Sequence, residues 1–186
     1  MRKLLWLLLP FGGLVLAVLL LKKKWPLAAG VEEFLLSWKR GIKNNNPANL
    51  EYHPETQWLG LDTPPTDGRF CRFKDMVDPT DGVSKPGAFW GLRATGISAL
   101  TNAKTYTNLL TWGENNTPAS ENGGEVGDYG RELGKTLGVD PAADFNFEAN
   151  MAPFLRALVI NEETVVPYTD SLFLEAANAA VTHGGA

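Results

Sequence analysis

Cysteine and histidine are scarce in this chain of 186 residues, which contains one cysteine, Cys71, and two histidines, His53 and His183. A single cysteine cannot form an internal disulfide framework. There are also too few Cys and His side chains for a zinc cluster or an H-E-x-x-H helix. The sequence lacks a phosphate-binding G-x-x-x-x-G-K-[ST] loop and a Rossmann glycine motif. We therefore expect no cofactor and no metal site.

Acidic side chains are missing from the first 25 residues, and all 21 of them follow Trp25. The residues after Trp25 also include 12 of the 17 basic residues, so this part of the chain carries nine more negative than positive charges. A nucleic-acid backbone attracts proteins of the opposite charge. The sequence therefore predicts no nucleic-acid partner.

Charge of either sign is absent between Leu4 and Leu21, a run of 18 mostly apolar positions. A helix of this length would be about 27 Å long, close to the roughly 30 Å hydrocarbon core of a bilayer. Two basic residues precede the run and three lysines follow it. The pattern predicts a transmembrane anchor in residues 1–25, with a lipid bilayer as partner, and a cleavable signal peptide is the alternative. Because both flanks are basic, they do not predict which end of the anchor faces which side of the membrane.

The remainder of the chain has the length of one domain. Residues 26–40 are predicted to be a linker and a short helix, and residues 41–186 a soluble domain. Apolar residues at helical spacing predict helices near 89–110, 126–137, 151–160 and 170–181. Turn and strand patterns predict a small β-ribbon in residues 52–73, with a loop at 78–87. The predicted fold class is therefore α-rich α+β, an N-terminal single transmembrane helix followed by one mostly helical domain. The predicted core contains Trp58, Phe73, Leu92, Ile97, Leu100, Leu133 and Leu158.

Three consecutive asparagines, Asn44, Asn45 and Asn46, lie in the tract GIKNNNPANL at residues 41–50. Asn side chains hydrogen-bond to nearby backbone, and Pro47 disfavours helical backbone at the residue before it, so the tract is predicted to be a turn. Two interpretations of the three amides remain open. They are either caps and turn formers, which we expect, or ligand contacts.

An ordered series of motifs begins with this asparagine tract. The later motifs are Trp58-Leu59-Gly60, Gly91-Leu92-Arg93-Ala94, Glu114-Asn115-Asn116-Thr117, Leu137-Gly138-Val139, and a glutamate ahead of Pro167-Tyr168-Thr169-Asp170. The series resembles a family of phage and prophage virion structural proteins, some of them membrane-associated components of tailless phages with an internal lipid bilayer. The resemblance implies a single-pass membrane protein of the virion membrane or host envelope. Its soluble domain would contact the capsid or other virion membrane proteins.

Carboxylates are the remaining candidates for catalysis, because glycosidases use a proton-donating acid and usually a second carboxylate. Glu162 and Glu163 end an apolar helix and precede a Pro-Tyr-x-Asp motif, which is similar to the helix-Glu-Tyr-x-Asp start of some phage lysozymes. The alternative function is therefore a membrane-tethered, lysozyme-like enzyme that cleaves peptidoglycan, a muramidase or transglycosylase, with Glu162 as the preferred acid. If the role of the domain is purely structural, Glu162 is predicted instead to be solvated or paired with Arg93, Arg131 or Arg156.

Overall fold

The computed structural model describes residues 40–62, 69–117, 127–163 and 165–184, without the side chains of the last two. The chain divides into two compact units, Met1–Lys39 and Arg40–Ala186, and every described residue belongs to the second. The predicted anchor at residues 1–25 lies outside the described residues. The predicted linker and short helix lie outside them as well, apart from Arg40.

Six helices and one two-stranded antiparallel sheet make up the described part of the chain. In chain order they are α1 (Arg40–Lys43), β1 (Met76–Val77), β2 (Ser84–Lys85), α2 (Gly87–Ala103), α3 (Leu109–Asn116), α4 (Asp128–Leu137), α5 (Met151–Glu163) and α6 (Asp170–Gly184). In the sheet, Met76 pairs with Lys85 and Val77 with Ser84. Helix α5 contacts α1, α2, α4 and α6, so it is the central helix of the domain.

For the residues that the structure describes, the predicted fold class is corrected to a helical domain with one small sheet and no transmembrane helix. Among the residues that the structure describes, no helix is long and apolar enough to cross a membrane. The longest of them, α2, has 17 residues and includes Arg93. A bilayer requires about 20 predominantly apolar residues, so α2 is too short to span one. The described fold is helical with one small sheet.

The sheet does not lie where the sequence predicted a ribbon. In the described parts of this stretch, residues 51–62 and 69–73, the backbone forms only isolated bridges, from Glu51 to Phe70 and from Leu61 to Phe73. The sheet forms instead on either side of residues 78–83, so β2 lies within the loop predicted at residues 78–87 and β1 directly precedes that loop. Asp78 closes this turn, because its Oδ1 accepts the backbone N–H of Thr80 at 2.9 Å and its own N–H donates to the carbonyl oxygen of Val83 at 2.8 Å.

The helix predicted at residues 89–110 is two helices, α2 and α3, separated by residues 104–108. Asn108 has extended backbone (φ −127°, ψ 163°), and its side chain accepts a hydrogen bond from the N–H of Thr111 at 3.0 Å. This is an N-cap, an interaction that contributes about 1 kcal/mol and starts a new helix. The apolar spacing continues across the break, so periodicity alone did not indicate it.

Five of the seven predicted core residues lie in the buried cluster of the domain, namely Phe73, Leu92, Leu100, Leu133 and Leu158. Trp58 is partly buried and packs against the cluster, whereas Ile97 is only half-buried. Four aromatic rings form one part of this core. The ring centroid of Phe154 lies 5.0 Å from that of Trp112, 5.1 Å from that of Phe147 and 6.0 Å from that of Phe145. Helix α5 is held in place by these rings.

Cys71 is fully buried, and its Sγ lies 3.3 Å from the carbonyl oxygen of Glu51. Burial raises the pKa of the thiol from its usual 9.0 to about 11. Only the thiolate reacts with disulfide reagents, so at pH 8 we expect the folded protein to react at least about 100-fold more slowly than the urea-unfolded chain. Equal rates in the two states would contradict this placement of Cys71.

The same pKa difference makes the stability of the domain depend on pH. Because the pKa of the Cys71 thiol is higher in the folded state than in the unfolded state, the contribution of this thiol to the free energy of unfolding is fully present below pH 9. It is lost as the pH rises to about 11, since only the unfolded state then ionises.

Candidate active site

A cleft of about 870 Å³ opens where the end of α5 meets the asparagine tract and the C-terminal end of α3. Its volume lies within the roughly 300–1,000 Å³ that is usual for ligand sites. Most of its lining is polar, and three aromatic side chains, Phe70, Trp112 and Tyr129, also line it. The charged and hydrogen-bonding residues of the lining include Arg40, Asn49, Glu51, Arg69, Tyr129 and Glu162.

Glu162 lies half-buried in this cleft, in the last turn of α5. Its Oε1 accepts a hydrogen bond from the hydroxyl of Tyr129 at 2.7 Å. Its Oε2 accepts a hydrogen bond from Nδ2 of Asn49 at 3.2 Å. The carboxyl group is therefore held by two neutral donors from distant parts of the chain and remains accessible from the cleft.

Arginine does not neutralise Glu162 in the described part of the chain. Arg131 lies 2.6 Å from Asp128, and Arg156 lies 3.4 Å from Asp170. The guanidinium carbon of Arg93 lies 5.9 Å from the centroid of the Trp90 ring. All three arginines that a purely structural role predicted as partners of Glu162 thus make other contacts.

Tyr129 is in the first turn of α4, and its position depends on a close approach between α4 and α3. A Cβ atom on the next residue, Gly130, would collide with the backbone of Leu109 at the start of α3. Burial, the charge of Glu162 and the hydrogen bond to it raise the pKa of Tyr129 well above the usual 10.0. The phenol therefore keeps its proton at neutral pH and acts as a hydrogen-bond donor to Glu162.

Asn49 has left-handed backbone, with a φ of +52°. Asparagine tolerates this conformation better than most residues, and such backbone is frequent at functional sites. Its side chain forms two hydrogen bonds within the cleft. Nδ2 donates to Glu162, and Oδ1 accepts a hydrogen bond from Nε of Arg40 at 3.2 Å. Asn49 belongs to the tract at residues 41–50, but no pattern in the sequence distinguishes it as a candidate site residue.

None of the three asparagines Asn44, Asn45 and Asn46 lines the cleft, and the side chains of Asn45 and Asn46 hydrogen-bond to the backbone. Asn46 Nδ2 donates to the carbonyl oxygens of Leu50 and Cys71, at 2.9 Å and 3.0 Å, and its Oδ1 accepts the N–H of Leu50 at 2.9 Å. Asn45 Nδ2 donates to the carbonyl oxygen of Phe73 at 2.8 Å. Asn44 is buried as well. These contacts fix the turn from which Asn49 reaches Glu162.

Replacing Asn46 with Ala should lower the free energy of unfolding by about 1–3 kcal/mol, because it leaves buried backbone groups without partners. Asn46 is only 1% exposed. The matched control is Asn178→Ala, at an exposed position on α6, where the change should stay within about 0.5 kcal/mol. Urea unfolding followed by circular dichroism measures both. Equal effects of the two substitutions would show that the amide of Asn46 stabilises nothing.

Glu163, the second candidate acid, does not line the cleft. Its side chain is 2% exposed and lies against α1, where a Cβ atom on Gly41 would collide with its Oε1. Burial and the charge of Glu163 raise the pKa of the Tyr168 hydroxyl. Glu163 is therefore part of the packing between α5 and α1.

Glu51 supplies a second carboxylate to the same cleft. Its Oε1 accepts hydrogen bonds from Nε and Nη2 of Arg69, at 3.0 Å and 2.8 Å. The described residues contain no group of three or more His, Cys, Asp or Glu side chains that could hold a metal ion. Within the described part of the chain, the cleft offers acid–base chemistry by carboxyl groups and hydrogen-bonding side chains.

Comparison with models of known protein families finds no family that matches the chain. Comparison with curated proteins finds no match either. Neither result links the chain to virion structural proteins of phages, so that resemblance stays a prediction.

Proposed function

We propose that the domain cleaves the glycan strands of peptidoglycan, as a muramidase or transglycosylase, and that Glu162 is its general acid. The observation that carries this proposal is the placement of Glu162. It lies in a cleft of suitable volume, and its carboxyl group is hydrogen-bonded to Tyr129 and Asn49 and is not paired with a base from the described residues.

In the reaction, the protonated carboxyl of Glu162 transfers its proton to the oxygen of the glycosidic bond while the bond from that oxygen to the anomeric carbon breaks. The carboxylate that forms accepts the hydrogen bonds of Tyr129 and Asn49. Hydrogen bonds to a charged group are stronger than those to a neutral one, so both donors stabilise the transition state. General acid catalysis of this kind contributes about 10²–10⁴-fold to the rate.

Glu51 is the proposed second carboxylate, because it lines the same cleft as Glu162. Glycosidases use such a group either to activate a water molecule or to attack the anomeric carbon. Arg69 fixes its orientation through two hydrogen bonds. The carboxylate of Glu51 would lie beside the positive charge that develops on the anomeric carbon as the bond breaks. Water in a muramidase, or a hydroxyl group of the same sugar in a transglycosylase, then forms the new bond to that carbon, and its proton returns to the carboxylate of Glu162.

A role as a structural protein of a phage virion is the second proposal, and the ordered motifs of the sequence support it. In that role the domain would contact the capsid or other virion proteins. The two functions are compatible, since a virion component can also degrade the cell wall during entry. The contacts of Glu162 favour the enzyme, because a purely structural role predicted that this residue is solvated or paired with a base. Its carboxyl group is instead half-buried and hydrogen-bonded to Tyr129 and Asn49.

The proposed activity is tested by adding the purified full-length protein to a suspension of purified peptidoglycan. We expect the turbidity of the suspension to fall as soluble fragments are released. Protein that has been heat-denatured is the control for contaminating material. A folded protein that releases no fragments from several peptidoglycan types would contradict the proposed function.

A further inference from the structure

Arg40 lies on the wall of the cleft, stacked on an aromatic ring. Its guanidinium carbon is 3.7 Å from the centroid of the Phe70 ring, and its Nε donates to Oδ1 of Asn49. Arginine stacks well on aromatic faces because its guanidinium is planar. These two contacts hold the cation in one orientation, although the residue is exposed to solvent.

A carboxylate partner for Arg40 is absent from the described part of the chain. The hydrogen bond to Asn49 uses Nε, and no described residue accepts a hydrogen bond from the two terminal nitrogens. Arg69 is the contrasting case in the same cleft. Its guanidinium carbon lies 4.9 Å from the same ring, but the group is paired with Glu51 at 2.8 Å. Of these two arginines, Arg40 is the one with its terminal nitrogens available to a ligand.

We propose that Arg40 is a subsite for a carboxylate group carried by the glycan substrate, an inference that rests on the proposed function. The terminal nitrogens of a guanidinium match the two oxygens of a carboxylate. Asn49 is hydrogen-bonded to both Arg40 and Glu162, so it sets the position of the subsite relative to the acid. The domain is acidic overall, so a local cation compensates for its repulsion of an anionic glycan.

Peptidoglycan can present such a carboxylate from two sources. In a glycan without peptides, it is the lactyl group of the muramic acid residue. In a glycan with stem peptides, the lactyl group is consumed in an amide bond and the carboxylates belong to the peptide. A third glycan, the tetramer of N-acetylglucosamine, carries no carboxylate and serves as the neutral probe.

The three glycans are used as tetrasaccharides: one without peptides, one with stem peptides, and the neutral tetramer. Their binding is measured by calorimetry on full-length protein that carries Glu162→Gln, so that no cleavage occurs. We expect a further Arg40→Gln substitution to weaken binding of at least one carboxylate-bearing glycan by about tenfold or more, as for other hydrogen bonds to charged groups. Which of the two glycans is affected identifies the source. Binding of the neutral tetramer should not change. The matched control is Arg156→Gln, at an exposed arginine that does not line the cleft.

Equal weakening for all three glycans, or no weakening for any, would overturn the inference, and so would a failure of every glycan to bind. Arg40→Lys keeps the positive charge without the planar fork, so it should recover part of the lost affinity. Circular dichroism of each variant shows whether it has folded. An inactive wild-type protein that binds the carboxylate-bearing glycan through Arg40 would contradict the proposed catalysis and leave the subsite standing. An active protein whose glycan binding does not depend on Arg40 would contradict the subsite and leave the proposed catalysis standing.

Discussion

Replacing Glu162 with Gln should lower the rate of peptidoglycan cleavage by about 10²–10⁴-fold, because the amide cannot donate the proton that the leaving oxygen requires. The substitution preserves the size of the side chain and an oxygen that can accept the hydrogen bond of Tyr129. The helical circular dichroism spectrum should therefore be unchanged. The rate is measured from the release of soluble fragments at equal protein concentration.

The matched control for this substitution is Glu132→Gln. Glu132 is an exposed carboxylate on α4, 3.5 Å from Lys135 and outside the lining of the cleft. Its replacement should leave the rate within about twofold of the wild type, since exposed ion pairs contribute little. If Glu162→Gln kept more than about a tenth of the activity, another group would have to be the acid.

Replacing Phe154 with Ala should lower the free energy of unfolding by about 3–5 kcal/mol, the largest effect on stability that we expect from a single side chain. Phe154 is fully buried, and its ring packs against those of Trp112, Phe145 and Phe147. Its removal leaves a cavity beneath α5, two turns before Glu162. Urea denaturation of the two proteins gives the difference directly.

Leu174→Ala is the control for the loss of a large apolar side chain. Leu174 is 55% exposed on α6, so its replacement should change the free energy of unfolding by no more than about 0.5 kcal/mol. A loss below about 1 kcal/mol for Phe154→Ala would mean that the aromatic rings do not form the core described here.

The helices were the most predictable part of the fold, because their apolar residues recur at helical spacing. The break before α3 was missed for a local reason. Asn108 caps a new helix with its side chain, and this hydrogen bond competes with a periodic pattern that continues across it. The sheet was misplaced because its strands are only two residues long and its turn depends on contacts of Asp78. Strands this short leave no alternating pattern in the sequence.

The candidate site was predictable only in its central residue. Glu162 could be proposed because it ends an apolar helix ahead of a recognisable motif. Its two hydrogen-bonding partners come from positions 113 and 33 residues away, and no sequence spacing indicates that Asn49 and Tyr129 meet there. Arg40 was assigned to a linker helix, whereas its side chain lines the cleft. These contacts depend on how α1, α4 and α5 pack, which a single sequence does not reveal.

The central claim is that the cleft breaks glycosidic bonds, and mass spectrometry of a peptidoglycan digest tests it most directly. We predict disaccharide units that still carry their complete stem peptides, because only the bonds between sugars should be cut. Glu162→Gln protein should yield none of these products. Glycan strands that stay intact while peptides or cross-links are cut would contradict the account, and so would disaccharide products that appear equally with Glu162→Gln protein.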